Sequence, residues 1–179
     1  MTLRILAVVA LCAGLGGCFT SAAPLIPPAQ AEFPVAAPAE IDSVHADGTS
    51  SPLWLERQAD VYVLVDRGGK KDGKPSVEVK HRFVVRGIGG GLFVAQRFPD
   101  SGALACPCMY GLIEMKGGRI SVYDFEDFGS SQQLSDEEIA RYGITIEDGN
   151  YQLSSFDATA QLFRVLLERP RPDNVYRLK

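Results

Sequence analysis

The sequence lacks any tract of basic residues, and this absence excludes several classes of partner. Its 18 lysines and arginines are outnumbered by 22 aspartates and glutamates, which gives a formal net charge of −4. Binding to nucleic acid depends on lysine and arginine side chains that neutralise phosphates, and electrostatic adhesion to anionic lipid depends on the same charges. We therefore expect no nucleic-acid partner and no electrostatic attachment to a membrane.

Recognisable catalytic motifs are missing as well. The nucleophile-elbow pattern Gly-x-Ser-x-Gly is absent, and His45 and His81 are the only histidines that could serve a catalytic triad. Residues 124–129 contain the Asp-Phe-Gly of protein kinases without the other kinase motifs. The glycine-rich residues 87–91 are followed by a predicted strand, whereas a phosphate loop opens a helix. We predict no enzymatic activity and no bound cofactor. An enzyme whose site is scattered over several loops stays open as an alternative.

The first part of the chain has an apolar run that is too short for a membrane-spanning helix. Residues 5–15 are apolar and uncharged, whereas a spanning helix needs ~20 such residues. Arg4 precedes the run, and the small residues Gly16 and Gly17 follow it. These are the three parts of an export signal, so we expect residues 1–17 to be removed. Arg4 is the only charged residue in this segment, and its loss changes the formal charge from −4 to −5.

The four residues Leu15-Gly16-Gly17-Cys18 resemble the lipobox of bacterial lipoproteins, in which an aliphatic residue and two small residues precede a cysteine. The resemblance implies that the Cys18 thiol receives a diacylglycerol and that the new terminal amine is acylated. Two or three acyl chains anchor a protein durably. Phe19 follows in place of the aspartate that retains many lipoproteins at the inner membrane of Gram-negative bacteria. We therefore expect a lipid-anchored protein of the outer membrane that faces the periplasm.

The mature chain divides into two parts by composition. Residues 18–51 are rich in proline and alanine and show no apolar periodicity. This composition predicts a lipidated, disordered tether, and an extended arm packed on the domain is the alternative. Residues 52–179 carry the regular apolar patterns and are predicted to form a single globular domain.

Most of that domain is predicted to be strand. Alternation of apolar and polar residues is clearest at residues 77–86, and Gly-Gly at 117–118 and Asp-Gly at 148–149 predict tight hairpins. Two helices follow late in the chain. The first, at residues 135–143, opens with a capping-box pattern, and the second, at residues 155–168, has one apolar face. This order predicts an α+β fold with an antiparallel sheet of about six strands and both helices packed on one face.

The middle of the domain, from Leu92-Phe93-Val94-Ala95-Gln96 to Tyr110-Gly111-Leu112-Ile113, is loosely similar to small proteobacterial lipoproteins whose function is uncharacterised. The similarity is one of strands and aromatic residues, and it implies no activity.

One small cluster in the domain has chemical potential, the sequence Cys106-Pro107-Cys108. Once Cys12 has left with the signal and Cys18 carries lipid, these are the two remaining cysteines, so no disulfide framework holds the fold. The pair predicts either inert loop cysteines, a labile disulfide with redox activity, or, with Met109, a soft site for Cu(I). Zinc would need further ligands, and His81 is the one plausible nitrogen.

Two functions are compatible with these observations. The first is a non-enzymatic envelope lipoprotein, anchored to the membrane by its lipid, that binds an unidentified envelope protein or ligand. The second is a thiol-redox or copper-handling accessory protein that uses Cys106 and Cys108.

Overall fold

The computed structural model describes residues 18–44, 49–67, 70–71, 74–75, 78–99, 106–124, 134–168 and 174–178. The predicted signal segment, His45 and the acidic residues 125–129 lie outside these ranges. The strands are β1 (Phe19–Ser21), β2 (Ala39–Val44), β3 (Ser50–Gln58), β4 (Val61–Asp66), β5 (Lys70–Lys71), β6 (Lys74–Pro75), β7 (Glu78–Gly89), β8 (Leu92–Phe98), β9 (Cys108–Lys116), β10 (Arg119–Asp124), β11 (Thr145–Glu147), β12 (Asn150–Gln152) and β13 (Asn174–Leu178). The helices are α1 (Asp136–Tyr142) and α2 (Phe156–Leu166), with a 3₁₀ turn at Pro28–Gln30. Among the described residues, no helix is long and apolar enough to cross a membrane.

Eight of the strands form a closed antiparallel barrel, in the order β2, β3, β4, β7, β8, β9, β10 and β13. The ring closes because β13 pairs with β10 on one side and with β2 on the other. The predicted α+β sheet of about six strands with both helices on one face is therefore wrong. Alternation of side chains shows which way each strand faces, but it does not show that two strands at opposite ends of the chain pair.

The N-terminal arm (residues 18–38) and β2 belong to the fold, in place of the tether predicted for residues 18–51. β1 pairs with β9 and with β12, and β2 forms part of the barrel wall. Phe19 and Ile26 are each 1% exposed. Proline prevents a helix here but is compatible with extended backbone, so the arm lies along the barrel and buries its scattered apolar side chains. The packed arm, the alternative to a tether, is thus the arrangement that the structure shows.

The barrel wall separates two apolar compartments. Along β4, Val61, Val63 and Val65 point outward, whereas Tyr62 and Leu64 point inward, so all five are buried. The outer core comprises Phe19, Ile26, Val61, Val63, Val65, Val84, Val94, Phe98, Cys108, Tyr110, Leu112, Tyr123, Leu134, Tyr142, Ile144, Tyr151, Leu153, Leu162, Phe163 and Leu166. The lumen is bordered by Val35, Ile41, Leu53, Leu55, Tyr62, Leu64, Val85, Ile113 and Ile120.

Both helices help to cover the outer core. The predicted capping box of α1 is present, since the Ser135 hydroxyl accepts from the Glu138 amide and the Glu138 carboxylate accepts from the Ser135 amide. α2 begins after Ser155, whose hydroxyl accepts from the Ala158 amide. It buries Leu162, Phe163 and Leu166 against the barrel. Burial of these large side chains supplies much of the hydrophobic stabilisation on this side of the wall.

Candidate functional site: the lumen and its mouth

One end of the barrel, where the turns after β3, β7 and β9 lie, is closed by the N-terminal arm. The Tyr62 hydroxyl accepts from the Val35 amide at 2.9 Å and donates to the Val35 carbonyl at 2.6 Å. The Phe33 ring packs edge-on against Tyr62, with centroids 5.1 Å apart, and the Arg57 guanidinium lies 3.7 Å from the Phe33 centroid. Burial raises the pKa of Tyr62, an effect that the Val35 hydrogen bond and Arg57 partly oppose. This end therefore has a floor that is fixed by packed aromatic rings and by the hydrogen bonds of Tyr62.

Above this floor the lumen encloses a cavity of about 120 Å³. Its walls are mostly apolar, including Ile41, Leu64, Phe83 and Ile113. An engineered apolar cavity of ~150 Å³ stays dry and binds benzene, so this one has room for several methylene groups. Met109 and Met115 also line it, and their flexible side chains can adapt to a ligand.

The pairing of the barrel wall changes beside this cavity. Residues 111–116 of β9 pair with β10, whereas Cys108 and Met109 pair with Ser21 and Thr20 of β1. β9 thus changes partner along its length, and Cys18 lies at the junction. Cys18 is half-buried and lines the cavity. We call this junction the mouth of the lumen.

Arg97 supplies positive charge close to the mouth. It lies on the lumen side of β8, opposite Phe83 of β7, and its Nη2 atom is 3.0 Å from Sδ of Met109. Among the described residues that line the cavity, Arg97 is the one with a permanent charge, and His81 is the other basic group. A guanidinium at the entrance of an apolar cavity suits a molecule with an apolar tail and an acidic or carbonyl head.

A second cleft, of about 530 Å³ and of mixed polar and apolar lining, adjoins the mouth on the outside. Cys18, Arg97 and Met109 line both the cleft and the lumen cavity. Thr20 also lines the cleft, is 8% exposed, and has a buried hydroxyl with no hydrogen-bond partner among the described residues. Asn150 and Gln152 of β12 and the acidic residues Glu147 and Asp148 complete its polar side. The cleft therefore offers hydrogen-bonding groups next to the apolar lumen.

Cys106 and Cys108 do not line the lumen cavity, whereas Pro107 between them lines the adjoining cleft. Their sulfurs form a disulfide, with Cα atoms 4.3 Å apart, and Cys108 belongs to the outer core. His81, in contrast, lines the lumen, so the proposed zinc ligands lie on opposite sides of the barrel wall. In the described part of the chain, no group of three or more His, Cys, Asp or Glu side chains could hold a metal ion. Soft-metal binding would first require reduction of the disulfide.

Sequence reasoning found Cys18 but missed the groups around it. The period-two pattern of β8 puts Phe93, Ala95 and Arg97 on one face, and this signal could have marked Arg97 as an inward-facing charge. Tyr62 and Thr20 carried no comparable signal, because their roles depend on contacts with the arm. No protein-family model, curated protein or solved structure matches this chain.

Proposed function

We propose that this protein is a lipid-anchored, non-catalytic binding protein of the cell envelope, whose lumen holds the apolar part of a small amphipathic molecule. The observation that carries the proposal is the apolar cavity of about 120 Å³, closed at the Tyr62 end and flanked by Arg97 at its mouth. The lipobox resemblance at residues 15–18 supports the anchor and the placement at the outer membrane.

The chemistry of the lumen favours an acyl chain with a carboxylate or ester head. Each buried methylene contributes ~0.8 kcal/mol, so a run of about six contributes roughly 5 kcal/mol before the cost of ordering the chain. The Arg97 guanidinium can donate to head-group oxygens. Since 5 kcal/mol alone corresponds to a Kd of roughly 0.2 mM, we expect a medium-length fatty acid to bind with a Kd of tens to hundreds of micromolar.

The proposal is tested with Cys18→Ser protein, which cannot carry the thioether-linked lipid. Titration with a fluorescent polyene fatty acid is expected to show saturable binding with one site per chain. Ala95→Leu fills part of the lumen and should abolish binding. Val94 is the neighbouring residue on the outer face, so Val94→Ile is the matched control and should bind normally. Binding that does not saturate, or that Ala95→Leu leaves intact, would show that the lumen is not the site.

A second candidate is thiol–disulfide exchange at Cys106 and Cys108, which their disulfide and the partial exposure of Cys106 favour. The disulfide would accept two electrons and two protons from a partner dithiol, which would itself become a disulfide. A ring of this size adds little chain-entropy stabilisation, so we expect the folded protein to be reduced by glutathione at moderate ratios. A disulfide that mass spectrometry finds intact under strongly reducing, non-denaturing conditions would remove this candidate.

A further inference from the structure

We infer that one acyl chain of the diacylglyceryl group on Cys18 occupies the lumen of its own barrel. The inference rests on the proposed function and adds the identity of the resident ligand. The modification itself exchanges the Cys18 thiol proton for a diacylglyceryl group from a phospholipid donor, whose head group leaves with that proton.

Cys18 is fixed to the barrel by its backbone. Its amide donates to Oδ1 of Asn150 at 3.1 Å, and its carbonyl accepts from the Tyr151 amide at 3.0 Å. Next to it, Phe19 is 1% exposed, stacks on Tyr151 and packs edge-on against Phe163, with ring centroids 5.3 Å apart in each pair. The nitrogen of Cys18 keeps a hydrogen to donate after signal removal, both as an amine and as an acylated amide. The lipid-bearing sulfur therefore stays at the mouth.

Cys18 also borders the lumen directly. It lines the cavity beside Gly111, and β9 continues from there along the cavity wall to Met115. This path is about 13 Å at ~3.3 Å per residue, long enough for a substantial part of an acyl chain. A chain attached at the mouth has a high effective concentration in the lumen, so it competes well against unattached lipid.

Polar groups lie beside the mouth. The ester carbonyls of a diacylglyceryl group are acceptors that an unmodified cysteine lacks. Thr20, Asn150 and Gln152 line the cleft into which these esters would extend, and the amide groups of Asn150 and Gln152 carry donors for ester carbonyls. Arg97 lines the same cleft and the lumen, so it can donate to an ester whose chain passes inward. The remaining acyl chains stay available to the bilayer.

The direct test uses lipidated wild-type protein from a Gram-negative host fed with a fatty acid that carries a diazirine. After irradiation and proteolysis, we expect cross-links between the Cys18-linked chain and lumen-facing residues of β9 such as Ile113. Ala95→Leu should remove these cross-links and Val94→Ile should retain them. Cross-links to detergent or phospholipid alone, or the absence of lipid on Cys18, would overturn the inference.

A second measurement separates this inference from the proposed function. Lipidated wild type should bind the fluorescent fatty acid at least about tenfold more weakly than Cys18→Ser protein, because its own chain competes. Equal binding by both proteins would overturn the inference and leave the proposed function standing. If the cross-links lie in the lumen but Cys18→Ser protein binds no fatty acid, the inference stands and the proposed function fails. The attached chain would then be a structural part of the barrel, and an exchangeable ligand would be excluded.

Discussion

The outer core and the lumen are built from the same strands, yet they are filled differently. In the outer core, Leu162, Phe163 and Leu166 of α2 are 0% exposed and are enclosed by the arm and the barrel wall. The lumen has a well-packed floor at Tyr62 but keeps a cavity of about 120 Å³ above it. A filled compartment contributes most to stability, whereas an unfilled one gives up contacts and has room for a ligand. The difference suggests that stability and binding lie on opposite sides of one wall.

The largest expected effect comes from truncating a large side chain in the outer core. Phe163→Ala should reduce the free energy of unfolding by about 3–5 kcal/mol, because the tightly packed residues around α2 cannot move to fill the cavity that the lost ring leaves. Ile113→Ala on the lumen side should cost about 2 kcal/mol, since Ile113 already borders the cavity and has fewer contacts to lose. Urea unfolding of both variants measures the difference. Equal losses would contradict the distinction between the two compartments.

The next effect concerns the turn at the floor end of the lumen. Gly91 has φ +79°, and a Cβ there would lie 2.7 Å from the Met115 carbonyl oxygen. Gly91→Ala should therefore cost more than about 2 kcal/mol, the sum of a left-handed conformation and a backbone clash. Gly90, with φ +66° and open space around it, is the control, and Gly90→Ala should cost about 1 kcal/mol. Thermal unfolding measures both losses. A larger loss of stability in Gly90→Ala than in Gly91→Ala would contradict this account.

A smaller effect is expected at the hydrogen bonds that hold the arm on the outer side. The Tyr110 hydroxyl lies 2.7 Å from Oγ of Ser21, accepts from the Leu25 amide at 3.1 Å and donates to Oε1 of Gln96 at 3.0 Å. Tyr110→Phe should cost about 1–3 kcal/mol, because it leaves buried polar groups unsatisfied. Urea unfolding measures this loss. A loss below about 0.5 kcal/mol would show that these hydrogen bonds do not hold the arm in place.

The same residue predicts how stability depends on pH. Burial raises the pKa of Tyr110, although hydrogen bonds with Ser21 and Leu25 partly oppose the shift. A group whose pKa is raised by folding contributes its full stability below its unfolded pKa, ~10 for tyrosine, and loses it as the pH rises through the folded value. Melting temperatures should therefore fall above pH ~10, and they should fall less steeply in Tyr110→Phe than in wild type. An identical slope in the two proteins would show that Tyr110 is not responsible.

The smallest effect is expected from the disulfide. Replacing both Cys106 and Cys108 with serine should cost less than about 2 kcal/mol, because the ring that they close is very short. Binding to the lumen should not change, since Cys108 lies in the outer core. Calorimetry and the fatty-acid titration test both statements. A loss of binding in the double variant would connect the disulfide to the mouth and contradict the separation of the two sites.

Local features of this fold could be read from the sequence, and long-range ones could not. The hairpins at Gly117-Gly118 and Asp148-Gly149 and the capping box at Ser135 are present because each depends on neighbouring residues alone. Closure of the barrel depends on β13 meeting β2, a pairing between distant segments that leaves no local pattern. The arm was misread because its prolines suit a packed extended chain as well as a disordered one.

The candidate site shows the same limit. Cys18 was found because the lipobox is a contiguous motif, and its lipidation stays a prediction. The mouth could not be foreseen, because it arises where β9 changes partner between β10 and β1. The inward position of Arg97 is the one other feature that the sequence could have predicted, from the alternation of apolar and polar residues along β8.

The central claim is that the lumen is a binding site, and a crystal structure of Cys18→Ser protein with a terminally brominated fatty acid tests it most directly. We predict an anomalous bromine peak inside the barrel between Tyr62 and Ile113, with the carboxylate near Arg97. A bromine peak confined to the outer surface, with the lumen collapsed around its own side chains, would contradict the account.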